Sequence, residues 1–104
     1  MEFKEIEKAV SKTANDYIGK YDLKYDADTI LFKLYEEIGE LSEAYLSAKG
    51  KSRPEKFVSA EISKKKLSYE LADVLGMTIL LAKEMDIDLE DAINRKWIIK
   101  EWEK

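Results

Sequence analysis

Apolar residues return every three or four positions along almost the whole chain, and nowhere do they alternate with a period of two. That spacing puts them on one stripe of an α-helix and does not suit a half-buried strand. A single proline, Pro54, leaves long helices without an internal breaker. The chain therefore reads as all-α: one domain over residues 1–104, a bundle of about four main helices. A domain of this length buries only about two thirds of its unfolded surface, so completion of the core by oligomerisation is expected.

Phe3, Ile6, Val10, Ala14, Tyr17 and Ile18 predict a first helix over residues 2–19, with Gly19 loosening its end. After a loop, Asp26 or Asp28 caps a second helix that carries Ile30, Leu31, Leu34, Ile38, Leu41, Tyr45 and Leu46 and closes at Lys49-Gly50. Residues 50–66 read as a mobile connection, helical in part, in which Ser52 and Glu55 resemble a capping box. A third helix runs from Ser68 to Met85. Between Leu71 and Ala82 its only charge is Asp73, which predicts a central, buried position. Asp88 then caps a fourth helix bearing Leu89, Ala92, Ile93, Trp97, Ile98 and Trp102.

Composition removes several chemistries. Without cysteine there is no disulfide, thiolate metal site or cysteine nucleophile, and without histidine no serine–histidine triad or histidine-held zinc. Acidic residues outnumber basic ones 22 to 18, for a net charge of −4. With a pI near 5.0, the chain lacks the balance of a nucleic-acid binder. The run Lys64, Lys65, Lys66 reads as a solvated helix edge or loop. The N-terminus has no apolar signal core and no apolar run approaches a membrane span, so a cytoplasmic protein with no membrane partner is expected.

Carboxylates are what remain, and two short segments concentrate them. On the second helix, at about 100° per residue, Glu36, Glu40 and Glu43 fall within about 60° of one another. Glu37 lies on the border with the stripe of Leu34, Ile38, Leu41 and Tyr45. No cation stands four residues after Glu36 or Glu37, where a helix selected only for stability would place one. Glu70 and Asp73 repeat the three-residue spacing on the third helix. If those helices pack antiparallel, Glu37, Glu40, Glu70 and Asp73 converge, and the repulsion calls for a bound cation. An all-oxygen donor set suits Mg²⁺, with Mn²⁺ able to substitute, and a metal-activated water as nucleophile. The plainer reading leaves Glu36 and Glu43 as a solvated face, Glu70 as a first-turn acid and Asp73 as a satisfied core polar group.

Glu36-Glu37-Ile38-Gly39-Glu40 and Glu70-Leu71-Ala72-Asp73 resemble the paired motifs of the MazG-like all-α nucleoside triphosphate pyrophosphohydrolases. The flanks agree: Glu37-Ile38-Gly39-Glu40-Leu41, Glu70 through Leu75, and Ile87-Asp88-Leu89-Glu90-Asp91-Ala92 followed by Lys96. The resemblance implies hydrolysis of a nucleoside triphosphate to its monophosphate and pyrophosphate, a role in clearing unwanted nucleotides, and a homodimer or homotetramer. By position it makes Glu37, Glu40, Glu70 and Asp73 metal ligands. Glu36 joins them or orients the attacking water, so Glu36, Glu37 and Glu40 form the catalytic set. Lys96 faces the substrate phosphates, and Lys100 does so more weakly. The chain departs from the pattern in its 29 residues from 41 to 69, in Met77 where some members carry a base-stacking tyrosine, and in Lys100 where asparagine is frequent.

Two other readings stand beside this one. The substrate is phosphoribosyl-ATP or deoxyuridine triphosphate, handled by related carboxylate motifs. Alternatively the chain is a non-catalytic helical module that binds nucleotide or metal, with Trp97 and Trp102 as partner-facing anchors rather than packing within an oligomer.

Overall fold

The computed structural model describes residues 1–56 and 58–103, and every regular element among them is helical. The elements are α1 (Phe3–Tyr21), α2 (Ala27–Ala48), a 3₁₀ turn (Pro54–Lys56), α3 (Ala60–Glu84) and α4 (Leu89–Ile93). α4 widens into a π-helical segment, Asn94–Ile98, and a last 3₁₀ turn covers Glu101–Glu103. No helix among the described residues is long and apolar enough to cross a membrane. The chain forms two compact units, one of Met1–Ile30 with Thr78–Lys104 and the other of Leu31–Met77.

The first unit holds α1, the end of α3 and α4. Its buried apolar side chains are Ile30, Ile79 and Ala82, with Ser11 buried as well. α1 runs two residues past Gly19, where a loosened end was expected, and Asp22, at φ 51°, supplies a left-handed cap. α3 ends in the same way at Asp86, at φ 55°, and the Ile87 N–H reaches back to the Ala82 carbonyl at 2.8 Å. Asp88 caps α4 as expected, accepting from the Asp91 N–H at 3.1 Å, and pairs with Lys4 of α1 at 2.9 Å.

The predicted fourth helix is shorter than its apolar spacing indicated. After Ile93 the ladder shifts to the π pattern, with the Ile99 N–H on the Asn94 carbonyl at 2.9 Å, and Lys100 at φ 51° breaks it. Trp102 therefore lies beyond the helix, where its indole N–H donates to the Lys96 carbonyl at 2.8 Å.

In the second unit, α2 from Leu31 onward and α3 as far as Met77 form an αα-hairpin. Asp26, of the two candidate caps, is the one that starts α2, through the Thr29 N–H at 2.9 Å. Gly50, at φ 67°, closes α2, and the Lys51 N–H reaches the Leu46 carbonyl at 2.8 Å. α3 begins at Ala60 and not at Ser68, so residues 60–66 of the expected mobile connection are helix. Ser59 is the cap, its Oγ accepting from the Ile62 N–H at 3.3 Å. Lysines 64–66 dilute the apolar pattern there, yet lysine is a good helix former, and Ser63 is buried. The expected capping box at Ser52 resolves into the single turn Pro54–Lys56. α3 is not buried all round either: Leu71 and Leu75 are 56% and 47% exposed, since a hairpin covers only one side of each helix.

Candidate active site

The hairpin brings the two carboxylate segments together. Leu34, Leu41 and the buried Ala44 turn one side of α2 inward, and Glu37, on the border of that side, is carried with them to half-burial. Glu70 is half-buried on α3, and Asp73 follows it by one turn. One carboxylate oxygen from each of Glu37, Glu70 and Asp73 lies within 4.8 Å of the others. Glu40, exposed at the rim, acts on both Glu37 and Glu70 through charge and hydrogen bonding. Asp73 is exposed, contrary to the expectation from its apolar helix.

The electrostatics of this group are one-sided. Burial, followed by the charges of Glu40, Asp73 and Glu70, pushes Glu37 up to about 7. Glu70 is raised as well, first by burial and then by Glu40 and Asp73, while Lys66 one turn earlier pulls the other way. Glu37 Oε2 and Glu70 Oε2, like Glu7 Oε1 in the other unit, are shielded from solvent and have no hydrogen-bond partner among the described residues. An unpartnered, buried carboxylate oxygen is costly and calls for a ligand. Two such atoms beside a third carboxylate, all of them hard oxygen donors, fit a divalent cation such as Mg²⁺.

The outer acids behave differently. Glu36 pairs with Lys33 at 3.3 Å, and Glu43 pairs with Lys56. Both are exposed. Lys96 and Lys100 lie in the other compact unit. The Lys96 ammonium rests over the Trp102 ring, 4.6 Å from its centroid, and Trp97 is 75% exposed. Sequence reasoning took Lys66 only as part of a solvated lysine run and did not weigh Lys56. Lys66 carried a signal, four residues before Glu70, whereas Lys56 meets Glu43 across thirteen residues and carried none.

Residues 3–95 match the family described as phosphoribosyl-ATP pyrophosphohydrolase. The chain belongs to the phosphoribosyl-ATP pyrophosphohydrolase family. Phosphoribosyl-ATP pyrophosphohydrolases fall within the MazG-like nucleotide pyrophosphohydrolase superfamily, so the resemblance seen in the motifs holds at that broader level. What matched is a family that had stood among the alternative readings. Membership in the phosphoribosyl-ATP pyrophosphohydrolase family supports pyrophosphohydrolase chemistry on a nucleotide derivative. No curated protein and no solved structure matches the chain.

Proposed function

We propose that this protein is a Mg²⁺-dependent pyrophosphohydrolase that cleaves a nucleoside triphosphate between its α and β phosphates, releasing a monophosphate and pyrophosphate. The observation that carries the reading is the meeting of Glu37, Glu70 and Asp73 oxygens within 4.8 Å, with Glu40 beside them. In this reading those four side chains hold the metal. When bound, Mg²⁺ supplies the positive charge the cluster lacks, engages substrate phosphate oxygens and acidifies a water. Glu37 and Glu70 each contribute a shielded oxygen that has no partner among the described residues. Glu36, exposed and paired with Lys33, is assigned to ligation or to orienting the attacking water on the strength of the motif resemblance alone. Lys96 and, more weakly, Lys100 are assigned to the phosphates on the strength of the motif resemblance.

The family match favours phosphoribosyl-ATP as the substrate within this class, and unmodified nucleoside triphosphates are the other members of it. Pyrophosphate release, measured with Mg²⁺ across phosphoribosyl-ATP and the common and damaged nucleoside triphosphates, decides between them. The expected result is one strongly preferred substrate and no release in a chelator. Tight nucleotide binding without any pyrophosphate would instead mark a non-catalytic module.

The reading includes a homo-oligomer. Phe32, Tyr35, Leu71 and Leu75 are 67%, 64%, 56% and 47% exposed, a large apolar contribution from one helical hairpin. Light scattering on the purified protein is expected to give the mass of two or four copies. A monomer at micromolar concentration would remove this part of the proposal.

A further inference from the structure

Glu43 lies one turn beyond Glu40 on α2, and Lys66 lies one turn before Glu70 on α3. Because the hairpin's helices run in opposite directions, both positions fall at the same end of the carboxylate cluster, the end nearest the connecting segment. There the Lys56 ammonium donates a hydrogen bond to Glu43 and forms an ion pair with it. Lys56 is the last residue of the turn Pro54–Lys56, whose φ is fixed at Pro54 and whose closing bond runs from the Lys56 N–H to the Arg53 carbonyl at 2.9 Å. Its side chain is 35% exposed, against 57% for Lys4 and 79% for Lys12 in their ion pairs. The Glu43 carboxyl is held below its ordinary range, first by the hydrogen bond and charge of Lys56 and then by the charges of Lys66 and Arg53. Lys66 acts on Glu70 too, so this cationic group borders the acidic one.

A strut that ties the connection to α2 accounts for one pair at most. An exposed ion pair adds little stability and immobilises two long side chains, which gives no reason for further cations around the same carboxylate. A polyphosphate chain does require both surroundings. The carboxylates and their metal serve the scissile linkage, while the outer phosphates carry negative charge that needs its own donors. We propose that Lys56 is a substrate-binding residue for the outer phosphates of the triphosphate, and that Glu43 is the internal carboxylate that holds its ammonium in place until phosphate displaces it. This rests on the pyrophosphohydrolase reading and deepens it, because it makes triphosphate length a determinant of specificity. A monophosphate reaches the metal-holding carboxylates but leaves Lys56 on Glu43.

The test uses inorganic tripolyphosphate as probe, with binding followed by calorimetry in Mg²⁺ on the full-length protein. Lys56→Met is expected to weaken binding by about tenfold, the loss of one charge-assisted hydrogen bond, and Lys56→Arg to stay within about twofold of wild type. Glu43→Gln is expected to tighten binding by about threefold, since the competitor for the ammonium is gone. A structural strut predicts that Lys56→Met and Glu43→Gln move binding in the same direction, and that result overturns the proposal. So does an unchanged affinity in Lys56→Met, or no binding by wild type. With nucleotide as substrate, Lys56→Met should raise KM by a similar factor with kcat little changed. The opposed shifts in tripolyphosphate affinity, found in a protein that releases no pyrophosphate from any nucleotide, would sink the catalytic reading and leave the subsite standing.

Discussion

Asp73→Asn and Glu37→Gln will each reduce Mg²⁺-dependent pyrophosphate release by more than about a hundredfold, while the metal-free protein stays as stable as wild type or gains stability. Losing an outer partner of a metal ligand already costs about ten- to a hundredfold in metal affinity or activity, so losing a ligand should cost more. Each amide matches its acid in size, so packing is preserved and only charge changes. Two full charges at 4.8 Å repel by about 3 kcal/mol at an effective dielectric near 20, and by less where Asp73 meets solvent. Removing one charge relieves that repulsion in the absence of metal. Stability and activity should therefore move apart, which a merely structural carboxylate cannot reproduce. The measurements are pyrophosphate release with Mg²⁺ and thermal melting in a chelator. Wild-type turnover in both variants would show that the site lies elsewhere. A large drop in metal-free melting temperature would show that these acids are pillars of the hairpin.

The all-α fold class and the pairing of carboxylates within each helix were both legible in the sequence, and for the carboxylates the reason is local geometry. A three-residue step on a helix always brings Glu37 beside Glu40 and Glu70 beside Asp73, whatever surrounds them. The lack of a cation at i+4 was equally visible, although Glu36 takes Lys33 three residues earlier on the same helix. Burial was harder to read. The run from Leu71 to Ala82 is apolar on all sides, yet Ile79 is 1% exposed and Leu71 56%, since burial depends on which neighbours a helix meets. The start of α3 was misplaced because Lys64, Lys65 and Lys66 have the composition of a loop, while Ser59 caps the helix through a bond that the sequence pattern did not single out. The break after Ile98 was hidden as well. A register shift from α to π leaves apolar spacing almost unchanged, and only the backbone at Lys100 reveals it. Contacts made across the connection, such as Lys56 on Glu43, obey no helical period and leave no trace in the sequence.

In a chelator, the protein will lose thermal stability as pH rises from about 5 to 8, and Mg²⁺ will restore it at the upper end but not at the lower. Glu37 has its ordinary value of 4.5 raised to about 7 in the folded chain by burial and by Glu40, Asp73 and Glu70. Between those two values the folded protein keeps a proton that the unfolded chain has released, so each increase in pH favours unfolding. The contribution is complete below the unfolded value and is lost as pH passes through about 7; Glu70, raised for the same reasons, adds to it. Glu43, Asp26 and Asp88 are shifted down, so their contributions vanish only in acid and stay constant across this window. Mg²⁺ needs the deprotonated carboxylates, which makes protons its competitors at pH 5. At pH 8 and a hundred times its dissociation constant, the ion adds about 2.7 kcal/mol. Glu37→Gln should flatten the metal-free slope and blunt the Mg²⁺ response together, because one carboxylate produces both. Melting temperatures that rise with pH in the chelator, or a Mg²⁺ effect equal at both ends, would mean that the four acids do not share one site.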